Sequence, residues 1–159
     1  MIKVGVVGAA GNMGSLACAW VEAADGLELV ARVDQGDSLA ALSGADVAVD
    51  CAGVPSVLPE GLEMLRKGGT YIECGAFVEM GTVPISPHRH LCSKSVRLIG
   101  MTNHPYTGYD AMLRQLEIYG DAMDMTSIIT DSFAIKDADA ALHRSMETSS
   151  GKVLIDARL

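Results

Sequence analysis

Lysine and arginine never cluster in this chain: 12 basic residues are scattered among 20 acidic ones, for a formal net charge of -8 at pH 7. That balance, with an isoelectric point near 4.8, argues against a nucleic-acid or anionic-membrane partner, because either needs a basic patch to neutralise phosphates. Long apolar runs are missing too, and none reaches the roughly 18 consecutive residues that a spanning helix requires. The four cysteines, Cys18, Cys51, Cys74 and Cys92, stand 33, 23 and 18 positions apart. No CxxC pair therefore offers a zinc site, and no small-scaffold disulfide framework is evident. They read as reduced, buried thiols of a cytoplasmic protein. Four glycines by position 14 and the acidic Glu22 fit a secretory signal poorly. There is no internal repeat and no low-complexity segment.

What remains is 159 residues, 49% of them hydrophobic, enough for one sizeable core. Strand-like runs bounded by Gly or Asp recur at 3–8, 27–33, 46–53, 70–75 and 96–101. Between them, Met13, Leu16, Ala17, Trp20 and Val21 share one helix face. Leu58, Leu62 and Leu65 make a second face, opened by Ser56 as N-cap and stopped by Gly68. Met112, Leu113, Leu116 and Tyr119 make a third, stopped by Gly120. Nearly continuous apolar strands alternating with helices predict a parallel sheet covered on both faces. The fold class is therefore α/β, a doubly wound, Rossmann-like sheet of order 2-1-3-4-5 with its switch point beside strand one. Only a turn or two of helix is expected around Ser38 to Leu42. The tail predicts a strand at 127–135, a helix capped by Asp137 with Ala138, Ala141, Leu142 and Met146 on its face, and a strand at 152–157. Residues 1–126 are expected to form the domain proper and 127–159 an extension packed on it.

Gly8, Gly11 and Gly14 stand in GAAGNMG, directly after the first strand and opening the first helix. In that context the first glycine makes a tight turn, the second admits a pyrophosphate close to the backbone, and the third lets helix and strand pack. Ala10, Asn12 and Met13 complete the loop, and the helix N-terminus offers unpaired amides to an anion. Asp34 lies 20 residues past Gly14, where a carboxylate would accept the adenosine ribose hydroxyls. A bare turn with a surface aspartate is the competing reading. No arginine follows Asp34, so NAD(H) is expected in preference to NADP(H).

The opening residues, with KVGVVGAAGNMG, LELVARVDQGD and SLAALSGADVAVD, resemble the N-terminal part of bacterial dihydrodipicolinate reductases, especially the short actinobacterial type. From about residue 46 onward, DCAGVPSVLPEGLEMLRKGGTYIECGAF, GTVPISPHRHLCSKSVRLIGMTNHP and SIITDSFAIKDADAALHRSM resemble the C-terminal part of a medium-chain, zinc-type alcohol dehydrogenase. Both families bind nicotinamide dinucleotides, and a join near strand three would preserve βαβ connectivity, so the pair implies a chimera, engineered or recombined. The reductases' catalytic His-His and Lys-rich segment has no counterpart here, and their basic glycine-loop residue is Ala10. The dehydrogenases' zinc ligands belong to a catalytic domain without a counterpart in these residues. The dehydrogenase resemblance implies that Ala52 and Gly53 line the adenosine side, that Gly75 and Ala76 hold the nicotinamide carboxamide through backbone groups, and that Gly100 and Thr102 lie nearby. Each glycine would serve equally as a strand terminator. The same resemblance implies a homodimer paired through the edge strand at 96–101.

His88, Arg89, His90 and Cys92 crowd one short stretch, but no fourth ligand is evident, and a loop beside the cofactor is expected rather than a metal site. His104, Tyr106 and Tyr109 are candidate proton donors to a carbonyl held against a nicotinamide, or simply a capping loop. The nine methionines, Met112, Met123 and Met125 among them, read as core or interface filler. Three functions stay open: an NAD(H)-binding module, a chimera with a vestigial site, and a small carbonyl reductase.

Overall fold

The computed structural model describes residues 1–34, 36–37, 44–76, 78–103, 106–121, 125–147 and 149–159. Two compact units divide the chain, Met1–Ala122 and Met123–Leu159. In the first, β1 (Ile2–Val7), β2 (Leu27–Val33), β3 (Ala45–Asp50), β4 (Leu65–Glu73) and β5 (Arg97–Gly100) form one sheet of order β2-β1-β3-β4-β5. Every pairing is parallel. This is the order the apolar runs predict, since each parallel neighbour needs a crossover. Ser38 to Leu42 lie outside the described residues.

The first crossover is α1 (Asn12–Ala23), which buries Gly14, Cys18 and Val21 against Val4, Val6 and Ala9. Of the expected face Val21 is buried and Ala17 and Trp20 pack against the same cluster, while Met13 at the first turn is 64% exposed. On the other sheet face α2 (Val57–Met64) buries Leu62 and Met64. It stops earlier than expected, for Leu65 already begins β4 and is buried there. A bulge makes this possible: Ala45 pairs with Leu65 but Val47 with Thr70, with Gly68 at φ +75 inside it. Lys94 Nζ closes the helix by donating to the Leu62 and Glu63 carbonyls. Ser56 sits at the N-cap position, but its side chain makes no capping bond. The third helix, α3 (Tyr109–Tyr119), ends at Gly120 as expected yet buries no residue.

In the second unit β6 (Ile129–Ala134) and β7 (Lys152–Asp156) pair in parallel around α4 (Ala138–Ser145). Arg144 holds the unit together, its Nε 3.0 Å from Asp131 and its Nη1 2.6 Å from Glu147. Asp137 precedes the helix without a side-chain cap bond. Of the predicted helix face only Ala141 is buried; Leu142 and Met146 are 62% and 76% exposed.

Candidate functional site

The chain leaves β1 at Val7, and Gly8 turns it with φ +74. Gly8 and Ala9 donate their amides to the Val33 carbonyl at 2.8 and 3.1 Å, so the loop is tied to the end of β2. A side chain at Gly8 would place its Cβ 2.9 Å from the Ala52 nitrogen, and one at Gly14 would penetrate the Gly8 carbonyl oxygen. Turn and helix packing thus explain two of the three glycines. Gly11 is different: φ -72 and ψ 164 are open to any residue, and a Cβ there would need only a shift of a few tenths of an ångström by the Gly8 carbonyl oxygen, 3.3 Å away. The fold alone does not require glycine at that position. Gly11 gives α1 no side-chain cap, and no acidic residue stands in its first turn. The positive end of the helix dipole faces the crevice, where the Asp34 carboxylate accepts the Ala10 amide.

Asp34 follows β2 directly and accepts the Ala10 amide at 2.6 Å. Asp37, missed at the sequence level, fixes it in turn: the Asp34 amide donates to Asp37 at 2.8 Å, and the Asp37 amide to the Asp34 carbonyl at 3.1 Å. A cavity of about 580 Å³ opens between these elements, lined by Gly8, Gly11, Asp34 and Asp37 on one side and Ala52, Ser56 and Glu60 on the other. Glu60 was also missed, because a carboxylate in a first helical turn reads as ordinary dipole complement.

Beyond β3 and β4 the backbones press together. Side chains at Gly53 or Gly75 would each run into the other's main chain. Beneath this crossing lies a carboxylate cluster invisible in the sequence pattern. Asp50, fully buried, accepts the Tyr71 hydroxyl at 2.6 Å and the Ala52 amide at 2.8 Å. Burial and the Asp50 carboxylate push the Tyr71 phenol up. Glu73 pairs with Asp50 in register and accepts the Gly75 and Ala76 amides, both at 3.0 Å. Burial first, then the adjacent Asp50 charge, raise the Glu73 carboxyl. Gly53 and Ala76 also line a smaller cavity of about 210 Å³, together with Val78 and Met80. Gly100 and Thr102 are exposed and line neither cavity. Asn12 and Met13 are likewise outward, Tyr106 is 91% exposed and Tyr109 49%. His104 and Met123 lie outside the described residues.

The family model for zinc-binding dehydrogenases matches residues 6–118. The chain belongs to that family. Both resemblances in the sequence are found among curated proteins. A 4-hydroxy-tetrahydrodipicolinate reductase of Beutenbergia cavernae is 49% identical over 75 residues, 46% of this chain and 30% of that protein. The 5-exo-hydroxycamphor dehydrogenase of Pseudomonas putida is 32% identical over 117 residues, 73% of this chain and 32% of that protein. The chain therefore spans about a third of those relatives' length. Among solved structures, an alcohol dehydrogenase from Thermotoga maritima superposes with a TM-score of 0.80 at 21% identity, over 97% of this chain and 50% of that one. S. aureus TarJ, solved with NADPH, gives 0.73 at 17% identity, over 98% and 55%. At such identities the likeness shows the Rossmann-like fold.

Among the described residues, the His88–Cys92 stretch is not arranged to hold the family's zinc. Pro87–Cys92 forms one wide helical turn in which the His90 Nδ1 accepts the Ser86 amide at 3.1 Å. Its Nε2 lies 3.4 Å from Glu63, which Arg89 also engages at 2.6 Å. His90 is thus spent on docking this turn to α2. Among the described residues no group of three His, Cys, Asp or Glu could hold a metal ion, and no helix is long and apolar enough to cross a membrane.

Proposed function

We propose that the chain is a dinucleotide-binding module related to oxidoreductases, taking NAD(H) in preference to NADP(H) within a reducing cytoplasm. The residues fit the coenzyme. Pyrophosphate would sit on Gly8, Ala10, Gly11, Asn12, Met13 and Gly14 at the open end of α1, and Asp34 would accept the ribose hydroxyls. Ala52 and Gly53 would flank the adenosine. Because the Gly75 and Ala76 amides already donate to Glu73, the carbonyls of that turn are the groups left for the carboxamide, with Gly100 and Thr102 at the rim. When bound, the nicotinamide supplies hydride chemistry. The observation that carries this reading is one cavity of about 580 Å³ shared by the glycine loop and Asp34. Asp37 and Glu60 line it as well, and their charge disfavours a 2′-phosphate.

Titration with NADH tests it: fluorescence enhancement or energy transfer from Trp20 is expected at or below millimolar cofactor, and its absence would sink the reading. Gly11→Val is the sharper variant, because the backbone there tolerates a side chain. Affinity is expected to fall about tenfold or more, near 1.4 kcal/mol, while the unfolding midpoint stays close to that of the parent.

The pair of curated matches to unlike enzymes favours a second reading, a recombined or engineered chimera whose site is vestigial; it predicts no NADH binding at all. A carbonyl reductase using His104 or Tyr106 would reveal itself by carbonyl-dependent NADH oxidation. For association, β5 presents an edge on which Leu98 and Ile99 are 40% and 45% exposed, and we propose that two copies pair there.

A further inference from the structure

We propose that Cys51 and Cys74 are a dithiol pair that a hydroperoxide converts to a reversible disulfide joining the ends of β3 and β4. The register carries this. Asp50 pairs with Glu73, so the next rung sets Cys51 beside Cys74 with both side chains on one sheet face. One bond carries the β3–β4 ladder to that rung, the Cys74 amide donating to the Asp50 carbonyl at 3.1 Å, while the Cys51 amide is held from the other side by the Val7 carbonyl of β1 at 3.0 Å. Neighbouring strands run about 4.8 Å apart, inside the roughly 4.4–6.8 Å between Cα atoms that a disulfide spans. Just beyond, the Gly53 and Gly75 crossing keeps the two backbones from splaying. A Cβ at Gly75 would lie 2.9 Å from the Cys51 carbonyl carbon.

The four thiols are not equivalent. Cys18 is fully buried in the core beneath α1, while Cys92 is exposed and on a different element. Cys51 and Cys74 are both half-buried, reachable by a small oxidant. The Cys74 Sγ lies 3.9 Å from the Ile72 carbonyl oxygen, and the two neighbouring thiols shift one another, Cys74 downward and Cys51 upward. The Glu73 and Asp50 carboxylates act against the Cys74 thiolate, which tempers its reactivity.

The chemistry balances with the peroxide as oxidant. The Cys74 thiolate attacks one peroxide oxygen; the O–O bond breaks, an alkoxide or hydroxide leaves and takes up a proton, and Cys74 becomes a sulfenic acid. The Cys51 sulfur then attacks that sulfur, the S–O bond breaks, and hydroxide departs with the Cys51 proton as water. Two thiols are oxidised and one peroxide is reduced. A dithiol reductant reverses the bridge by exchange.

The full chain, reduced, desalted and treated with hydrogen peroxide, is alkylated without reductant and digested with trypsin. Cleavage after Arg66 and Lys67 puts the two cysteines on separate peptides. The expected product is those peptides linked, with the thiol titre falling from four to two and returning with dithiothreitol. Cys92→Ser keeps the link and leaves both partners in place, whereas Cys51→Ser and Cys74→Ser each abolish it. Sulfinic acid on one cysteine without linked peptides, or bridges only between chains, overturns the proposal. This readout needs no coenzyme, so its outcome is separate from that of the binding reading.

Discussion

The two ends of the sheet differ in how little, and how much, slack they hold. Around β1, β2 and β3 the main chain packs against itself: Gly8 against Ala52, Gly14 against Gly8 and Gly53 against Gly75. At β5 every residue is exposed, and α3 buries none. A binding crevice built from backbone groups needs the first kind of construction, because atoms that are to meet a ligand at hydrogen-bond distance have to be fixed before it arrives. The open edge has no such demand on it within one copy of the chain.

Glycine-to-alanine changes at the two ends sharpen the contrast most. Gly14→Ala drives a methyl into the Gly8 carbonyl, with only backbone to give way, and is expected to cost about 3 kcal/mol. Gly100→Ala meets nothing within 4 Å and is expected to stay within about 0.5 kcal/mol of the parent. Urea unfolding of both variants checks this. Equal losses would mean that the crevice is no more tightly built than the edge.

The next effect in size belongs to the buried carboxylate. Tyr71→Phe removes a hydroxyl that donates to Asp50 at 2.6 Å inside the cluster of Ala48, Leu62 and Leu65. Asp50 keeps the Ala52 amide but loses its side-chain donor, and a loss of about 1–3 kcal/mol is expected. Thermal unfolding reads it. A neutral outcome would show that water reaches Asp50.

The places of the glycine loop between β1 and α1 and of Asp34 at the end of β2, and the strand order, were legible because each rests on a local pattern: a spacing of three, a residue at a strand end, an apolar run between turn residues. The Asp50, Tyr71 and Glu73 cluster was not, since no rule of spacing joins residues 21 and 23 apart until β3 and β4 are in register. The same holds for Gly53 against Gly75 and for Cys51 beside Cys74. The end of α2 was misjudged for a different reason, as Leu65 continues the helical apolar spacing, yet the Ala45 to Thr70 bulge takes it into β4. Cys92, expected to be buried, is exposed because the Pro87–Cys92 turn docks through His90 instead. The amphipathic pattern of α3 and of α4 marks helices correctly, but a pattern names a face and not what covers it.

A charge on the edge strand tests whether a second copy covers it. Ile99→Lys at β5 is expected to shift monomer stability by no more than about 0.5 kcal/mol while halving the mass seen by light scattering. A parent that is already monomeric refutes the pairing.

The smallest effect is a slope against pH. Glu73 is held above its ordinary value of 4.5 by burial and by Asp50, so the folded chain binds this proton more tightly than the unfolded one. Its contribution is fully present below pH 4.5 and is lost as pH rises through the raised value. Glu73→Gln stays neutral throughout and retains an oxygen to accept the Gly75 and Ala76 amides. Relative to the parent, the variant is therefore expected to gain stability as pH climbs from 4 to 7, by less than the Tyr71→Phe loss because Glu73 is only partly buried. Urea midpoints at several pH values across that window measure it. A difference that is flat with pH would mean that Glu73 and Asp50 carry their charges independently, and that the turn holding Gly75 and Ala76 is as loosely governed as the far edge of the sheet.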